Sequence, residues 1–143
     1  MPNHQHLQKP TGAFVAASWA ALGIGAGVYL IGLWNAKMQL NEQGYYFVLL
    51  MYGLFSAVSL QKSVRDRMED IPVSALYFAL CWGSLGMAIL LMVVGLWNAA
   101  LAPSEKGFYA MAFLLSLFGA VTVQKNVRDT QALMRASAET ASN

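Results

Sequence analysis

Charge is the scarcest ingredient of this chain. Only 11% of its residues are Asp, Glu, Lys or Arg, against about a quarter in a typical soluble domain. Four stretches hold none at all: Pro10–Ala36, Gln43–Gln61, Ile71–Ser104 and Gly107–Gln124. Ionisable side chains inside a bilayer are the usual mark of proton relays, ion sites and voltage sensing. Their absence from these runs counts against an ion-coupled transporter or pump. A single cysteine, Cys81, excludes an intramolecular disulfide and reads as a small packing residue in an apolar run. Both histidines, His4 and His6, sit in a polar leader. A His-x-His pair can ligate a metal, but in a short tail it lacks the further ligands that a site needs. There is no Ser/His/Asp set, no phosphate-cradling glycine loop and no metal-ligand cluster, so neither an enzyme nor a cofactor is expected. A net charge of +2 is too small to argue for nucleic acid.

What the chain has in abundance is apolar length, with 57% of its residues hydrophobic. A helix rises about 1.5 Å per residue, so about 20 apolar residues cross a hydrocarbon core of about 30 Å. The four charge-free runs therefore predict an all-α integral membrane protein with four transmembrane helices, at about 12–34, 44–61, 75–97 and 107–124. The first run is too long for the apolar part of a signal peptide, and its leader carries one lysine rather than a basic cluster. It reads as a retained helix.

The chain is also written twice. Gly32-Leu33-Trp34-Asn35-Ala36 recurs letter for letter as Gly95-Leu96-Trp97-Asn98-Ala99. After it come Glu42, Gly44 and Tyr46 in one copy, and Glu105, Gly107 and Tyr109 in the other. Gln61-Lys62-Ser63-Val64-Arg65-Asp66 is answered by Gln124-Lys125-Asn126-Val127-Arg128-Asp129. Laying 12–66 on 75–129 needs no gap and gives 21 identities over 55 positions. Two tandem two-helix repeats follow, with tails at 1–11 and 130–143 and a linker at 67–74. A two-span unit returns to the side on which it began, so its copy keeps the same topology, as in parallel repeats.

Lysine and arginine counts set the expected orientation. Lys9, Lys62, Arg65, Arg67, Lys125, Arg128 and Arg135 fall on one side, and Lys37 and Lys106 on the other. Both termini and the central linker are therefore expected in the cytoplasm. Helix association in lipid rests on close backbone approach rather than on hydrophobic drive. The candidate packing residues are Gly23 and Gly27 in the first helix, Gly53 and Ala57 in the second, and Ser116 and Ala120 in the fourth. The Ala17, Ala21 and Gly25 stripe lies on a neighbouring face. Either stripe of the first helix suits packing within the monomer or a dimer face.

Two polar caps are the remaining candidate sites. At the outer end, Trp34, Asn35 and Glu42 with Trp97, Asn98 and Glu105 could meet around the pseudo-axis and bind a small polar or cationic group. The plainer reading is interfacial anchoring by tryptophan, asparagine at helix ends, Asn41 and Ser104 as N-caps, and acids facing positive helix dipoles. At the inner end, Lys62, Arg65 and Asp66 with Lys125, Arg128 and Asp129 could hold an anionic lipid headgroup or an acidic partner. The plainer reading there is positive-inside topology, although the paired aspartates add nothing to topology.

The Gly-Leu-Trp-Asn-Ala, Glu-x-Gly-Tyr/Phe-Tyr and Gln-Lys-x-Val-Arg-Asp signature, present twice across about 12–129, resembles the YiaA/YiaB two-helix-domain family of bacterial inner-membrane proteins. The resemblance implies a multi-pass protein of the bacterial inner membrane with the domain in duplicate. It implies no activity and transfers no functional residue. A structural or interaction protein that self-associates or serves a membrane-protein partner is the leading expectation. The alternative is a passive channel for a small polar solute, at the repeat interface or within an oligomer, lined by Ser18, Ser56, Ser59, Ser84, Ser116 and Thr122.

Overall fold

In the computed structural model, residues 9–143 are described, and the His4/His6 pair lies outside them. Four helices follow in order: α1 (Gly12–Asn35), α2 (Leu40–Met68), α3 (Ala75–Asn98) and α4 (Pro103–Ser142). All four are long and apolar enough to cross a membrane. The fold is all-α, with no strand among the described residues.

Local chemistry sets the boundaries. Thr11 and Ser74, at equivalent positions of the two repeats, cap α1 and α3 by accepting from Phe14 N and Tyr77 N at 3.1 Å. Those helices end at Asn35 and Asn98, whose side-chain amides donate back to Ile31 and Val94 carbonyls. The expected caps Asn41 and Ser104 are displaced. Gln39 and Ala102 hold the N-cap positions, neither with a side-chain cap bond. In α4 the cause is Pro103, which fits the first helical turn because no helical donor is lost there. α2 outlasts its apolar run because Lys62–Asp66 and Arg65–Glu69 pair one turn apart. It stops in a Schellman turn, where Asp70 takes a positive φ of 58° and Ile71 N reaches back to the Asp66 carbonyl. The Ala-rich segment after Asp129 extends α4 as far as Ser142.

The packing exchanges partners between repeats. α1 lies chiefly on α4 and α3 chiefly on α2, while α2 and α4 meet at the centre. The two helices of one repeat barely touch, and α1 does not reach α3. Each first helix thus docks on the second helix of the other repeat, under a pseudo-two-fold that exchanges the copies. Two matched hydrogen-bonded pairs follow the same rule. Asn126 on α4 donates to Ser18 on α1 at 3.1 Å, and the matching pair in the other half is Ser63 on α2 with Cys81 on α3 at 3.4 Å.

The tightest seam is α1 against α4. A Cβ at Gly119 would stand 2.5 Å from Leu22 N, and one at Gly25 would stand 2.8 Å from Ser116 N. Backbone therefore meets backbone at both points, which only glycine permits. Gly53 on α2 makes room for the Phe113 ring of α4, and Ala57, Ser116 and Ala120 are buried. Gly23 and Gly27 do not belong to this set. A Cβ at either would meet nothing within 4 Å, because α4 covers the face of α1 that carries Gly25, two residues from each. The central core is Leu50, Phe113, Tyr29, Tyr46 and Tyr109, with the Tyr29 hydroxyl donating to the Tyr46 carbonyl at 2.8 Å.

Gly119→Ala is expected to destabilise the detergent-solubilised protein by about 1–3 kcal/mol, the usual cost of overpacking. Gly23→Ala should stay within about 0.5 kcal/mol, as a surface change does. Thermal unfolding of the two variants side by side checks both.

Candidate functional site

The expected outer cap does not form as one site. Trp34 and Trp97 are 86% and 83% exposed and point away from the bundle. The other four residues divide into two clefts related by the pseudo-two-fold. One, of about 630 Å³, places Asn35 and Lys37 at the end of α1 opposite Glu105, Phe108 and Tyr109 of α4. The other, of about 440 Å³, places Asn98 of α3 opposite Glu42, Tyr45 and Tyr46 of α2. Each asparagine thus faces the glutamate of the other repeat. Convergence fails because α1 and α3 are held apart by the central pair. On the axis itself Tyr46 and Tyr109 stack at 6.1 Å with an interplanar angle of 18°.

The opposite end carries the most organised polar chemistry in the molecule. Arg65 of α2 reaches Asp129 of α4 at 2.6 Å, and Arg128 of α4 reaches Asp66 of α2 at 2.6 Å. The two ion pairs are images of each other and cross between repeats. Lys62 and Lys125 brace the same aspartates from one turn away at 2.8 Å. Glu69, which the sequence reading passed over, accepts from both arginines, at 2.7 Å from Arg65 and 3.0 Å from Arg128. Its only signal in the sequence was its place four residues after Arg65. The arginine side chains are 16% and 14% exposed, so they are committed to protein carboxylates, whereas both lysine side chains are about half exposed.

These contacts set the ionisation. Hydrogen bonding from Lys62, and then from Arg128, holds the Asp66 carboxyl below its usual range against the opposing cost of burial. Arg65, and then Arg128, does the same for Glu69. At Asp129 burial pushes upward most strongly, yet the combined pull of Lys125 and Arg65 leaves the group lowered. Carboxyls lowered by folding add stability above their ordinary values, near 3.8 and 4.5, and lose it as pH falls through the folded ones. Among the described residues no cluster of His, Cys, Asp and Glu is arranged to hold a metal ion.

A duplicated four-helix membrane bundle, with clefts at one end and a crossed ion clasp at the other, is the class of protein that these features define. The yiaA/B two helix domain matches residues 14–66 and again 77–129, so the chain belongs to that family. It is 59% identical over 117 residues to the inner membrane protein YiaA of Escherichia coli (strain K12), covering 82% of this chain and 81% of that one. It is 29% identical over 97 residues to the inner membrane protein YiaB of the same organism, covering 67% and 81%. An uncharacterized membrane protein of Bacillus subtilis (strain 168), YubF, is 32% identical over 72 residues, covering 50% and 83%. No solved structure matches the chain.

Arg128→Ala strands the buried Asp66 with Lys62 alone and is expected to cost about 1–3 kcal/mol, between the exposed and fully buried limits for ion pairs. Stability measured against pH should be flat above about 5 and fall below about 4 as the carboxylates take up protons. The fall should be shallower in the variant.

Proposed function

We propose that this chain is a structural or interaction protein of the membrane, and that it self-associates through the outer face of α1. One observation carries the reading. Ala16, Ala20, Gly23 and Gly27 fall on one side of α1, and no other helix among the described residues covers that side. Equivalent small residues on α3, Ala79, Gly83 and Gly86, are likewise uncovered. Small-residue stripes let two helices approach closely in lipid, where dispersion contacts take the place of hydrophobic drive. The stripe on α3 is interrupted where Leu90 stands in place of Gly27, which favours α1 as the contact.

We also propose that both termini and the α2–α3 linker face the cytoplasm, supported by the lysine and arginine asymmetry between the two ends. A passive path between the repeats finds less support. The pseudo-axis is filled by Leu50, Phe113, Tyr46 and Tyr109, and the clasp crosses one end of it.

The test is the oligomeric state in native lipid discs. The unmodified chain should run as a dimer or larger, and G23I/G27I should run as a folded monomer, whose lower thermal stability reflects only the lost association. Monomers from both would sink the reading. Labelling of cysteines placed in the 67–74 linker, from inside but not outside intact cells, would bear on the orientation.

A further inference from the structure

The two outer seams of the bundle are equivalent by internal symmetry but differ in chemistry. In the α1–α4 seam Gly119 and Ala21 allow the backbones to touch. At the matching positions of the α2–α3 seam stand Ser56 and Ser84. The side chains hold the helices apart and leave a groove of about 150 Å³, lined by Tyr52, Ser56, Ser59, Tyr77, Cys81 and Ser84. The counterparts of the two tyrosines, Leu115 and Phe14, are apolar. The groove thus gathers five hydroxyls, those of Tyr52, Ser56, Ser59, Tyr77 and Ser84, whereas the α1–α4 seam carries Ser18, Ser116 and Thr122 and no tyrosine at the matching positions.

Their hydrogen bonding is the second observation. Elsewhere in the bundle, buried serine and threonine hydroxyls fold back on their own helix: Ser18 onto Phe14, Ser63 onto Ser59, Ser116 onto Ala112 and Thr122 onto Phe118. Ser56 does not. It is 1% exposed, lines the groove, and its Oγ has no partner among the described residues. A buried hydroxyl without a partner costs free energy that a neighbouring acceptor recovers, and at this depth water is scarce.

We propose that the groove binds the ester-linked glycerol region of one diacyl phospholipid from the leaflet at the charged end. Depth selects this occupant. Ser59 lies one turn inward of Lys62 and Ser56 another turn, or about 5 and 9 Å at 1.5 Å per residue. The interfacial layer outside the hydrocarbon is about 6 Å thick on each side, and lipid ester carbonyls lie at its inner boundary. Donor chemistry agrees, since Ser and Tyr hydroxyls need acceptors and an ester carbonyl is one. Phe55 and Leu80, 72% and 58% exposed, flank the groove with apolar surface for the acyl chains. A groove of this volume takes the ester region and leaves the rest of the lipid in the bilayer.

The experiment is native mass spectrometry of the full chain after exchange into dioleoyl phosphatidylglycerol or its diether analogue, which keeps the headgroup and lacks the carbonyls. One diester lipid per chain should be retained in preference to the diether by about fivefold, the factor for one net hydrogen bond. S56A/S84A should abolish that preference, and S116A, whose hydroxyl is already bonded to its own helix, should keep it. Equal retention of the two lipids, or no retained lipid on the unmodified chain, would overturn the proposal. An undiminished preference in S56A/S84A would do the same. Should the double variant fold poorly, the ester-against-ether comparison on the unmodified chain still decides.

Discussion

Two apolar helices in a bilayer gain nothing from hiding greasy surface from water, so their contact depends on how closely the backbones can come. In this chain that constraint is met at Gly25 and Gly119, where α1 and α4 touch without intervening side chains. The remaining arrangement depends on this contact. It ties the first helix of one repeat to the second helix of the other. The central α2–α4 pair then carries the aromatic core, and α1 and α3 are left on the outside.

Duplication imposed a pseudo-two-fold, and the chain keeps it where charges are concerned. Arg65 with Asp129 and Arg128 with Asp66 are the same bond made twice, from opposite sides of the axis. A charge asymmetry between the two ends asks only for cations at this one. The acids are there because each arginine, largely withdrawn from water between α2 and α4, needs a carboxylate from the opposite repeat. Glu69 has Ala132 as its counterpart, and a single glutamate serves both arginines.

Departures from symmetry are as informative as its retention. Gly119 is answered by Ser56 and Ala21 by Ser84, so one seam closes on bare backbone and the other stays open around a groove. A hydroxymethyl group in place of a hydrogen at one position and of a methyl at the other separates a packing surface from a groove. In the same way the small-residue stripe on α1 is continuous to Gly27, whereas on α3 Leu90 interrupts it.

The sequence alone determined four apolar spans, their duplication and the charge asymmetry between the ends. Crossing a bilayer depends on the length and polarity of contiguous segments, and both are local properties. It also brought Trp34, Asn35 and Glu42 and their copies to one end of the bundle. Only the tertiary structure decided that Asn35 faces Glu105 rather than Glu42, that Gly25 rather than Gly23 or Gly27 meets α4, and that the arginine-aspartate motifs clasp each other. α1 carries small residues on more than one face, and each looks equally suited to packing when read along the chain. Which face is covered depends on a partner helix about ninety residues away, and short-range spacing does not encode that choice.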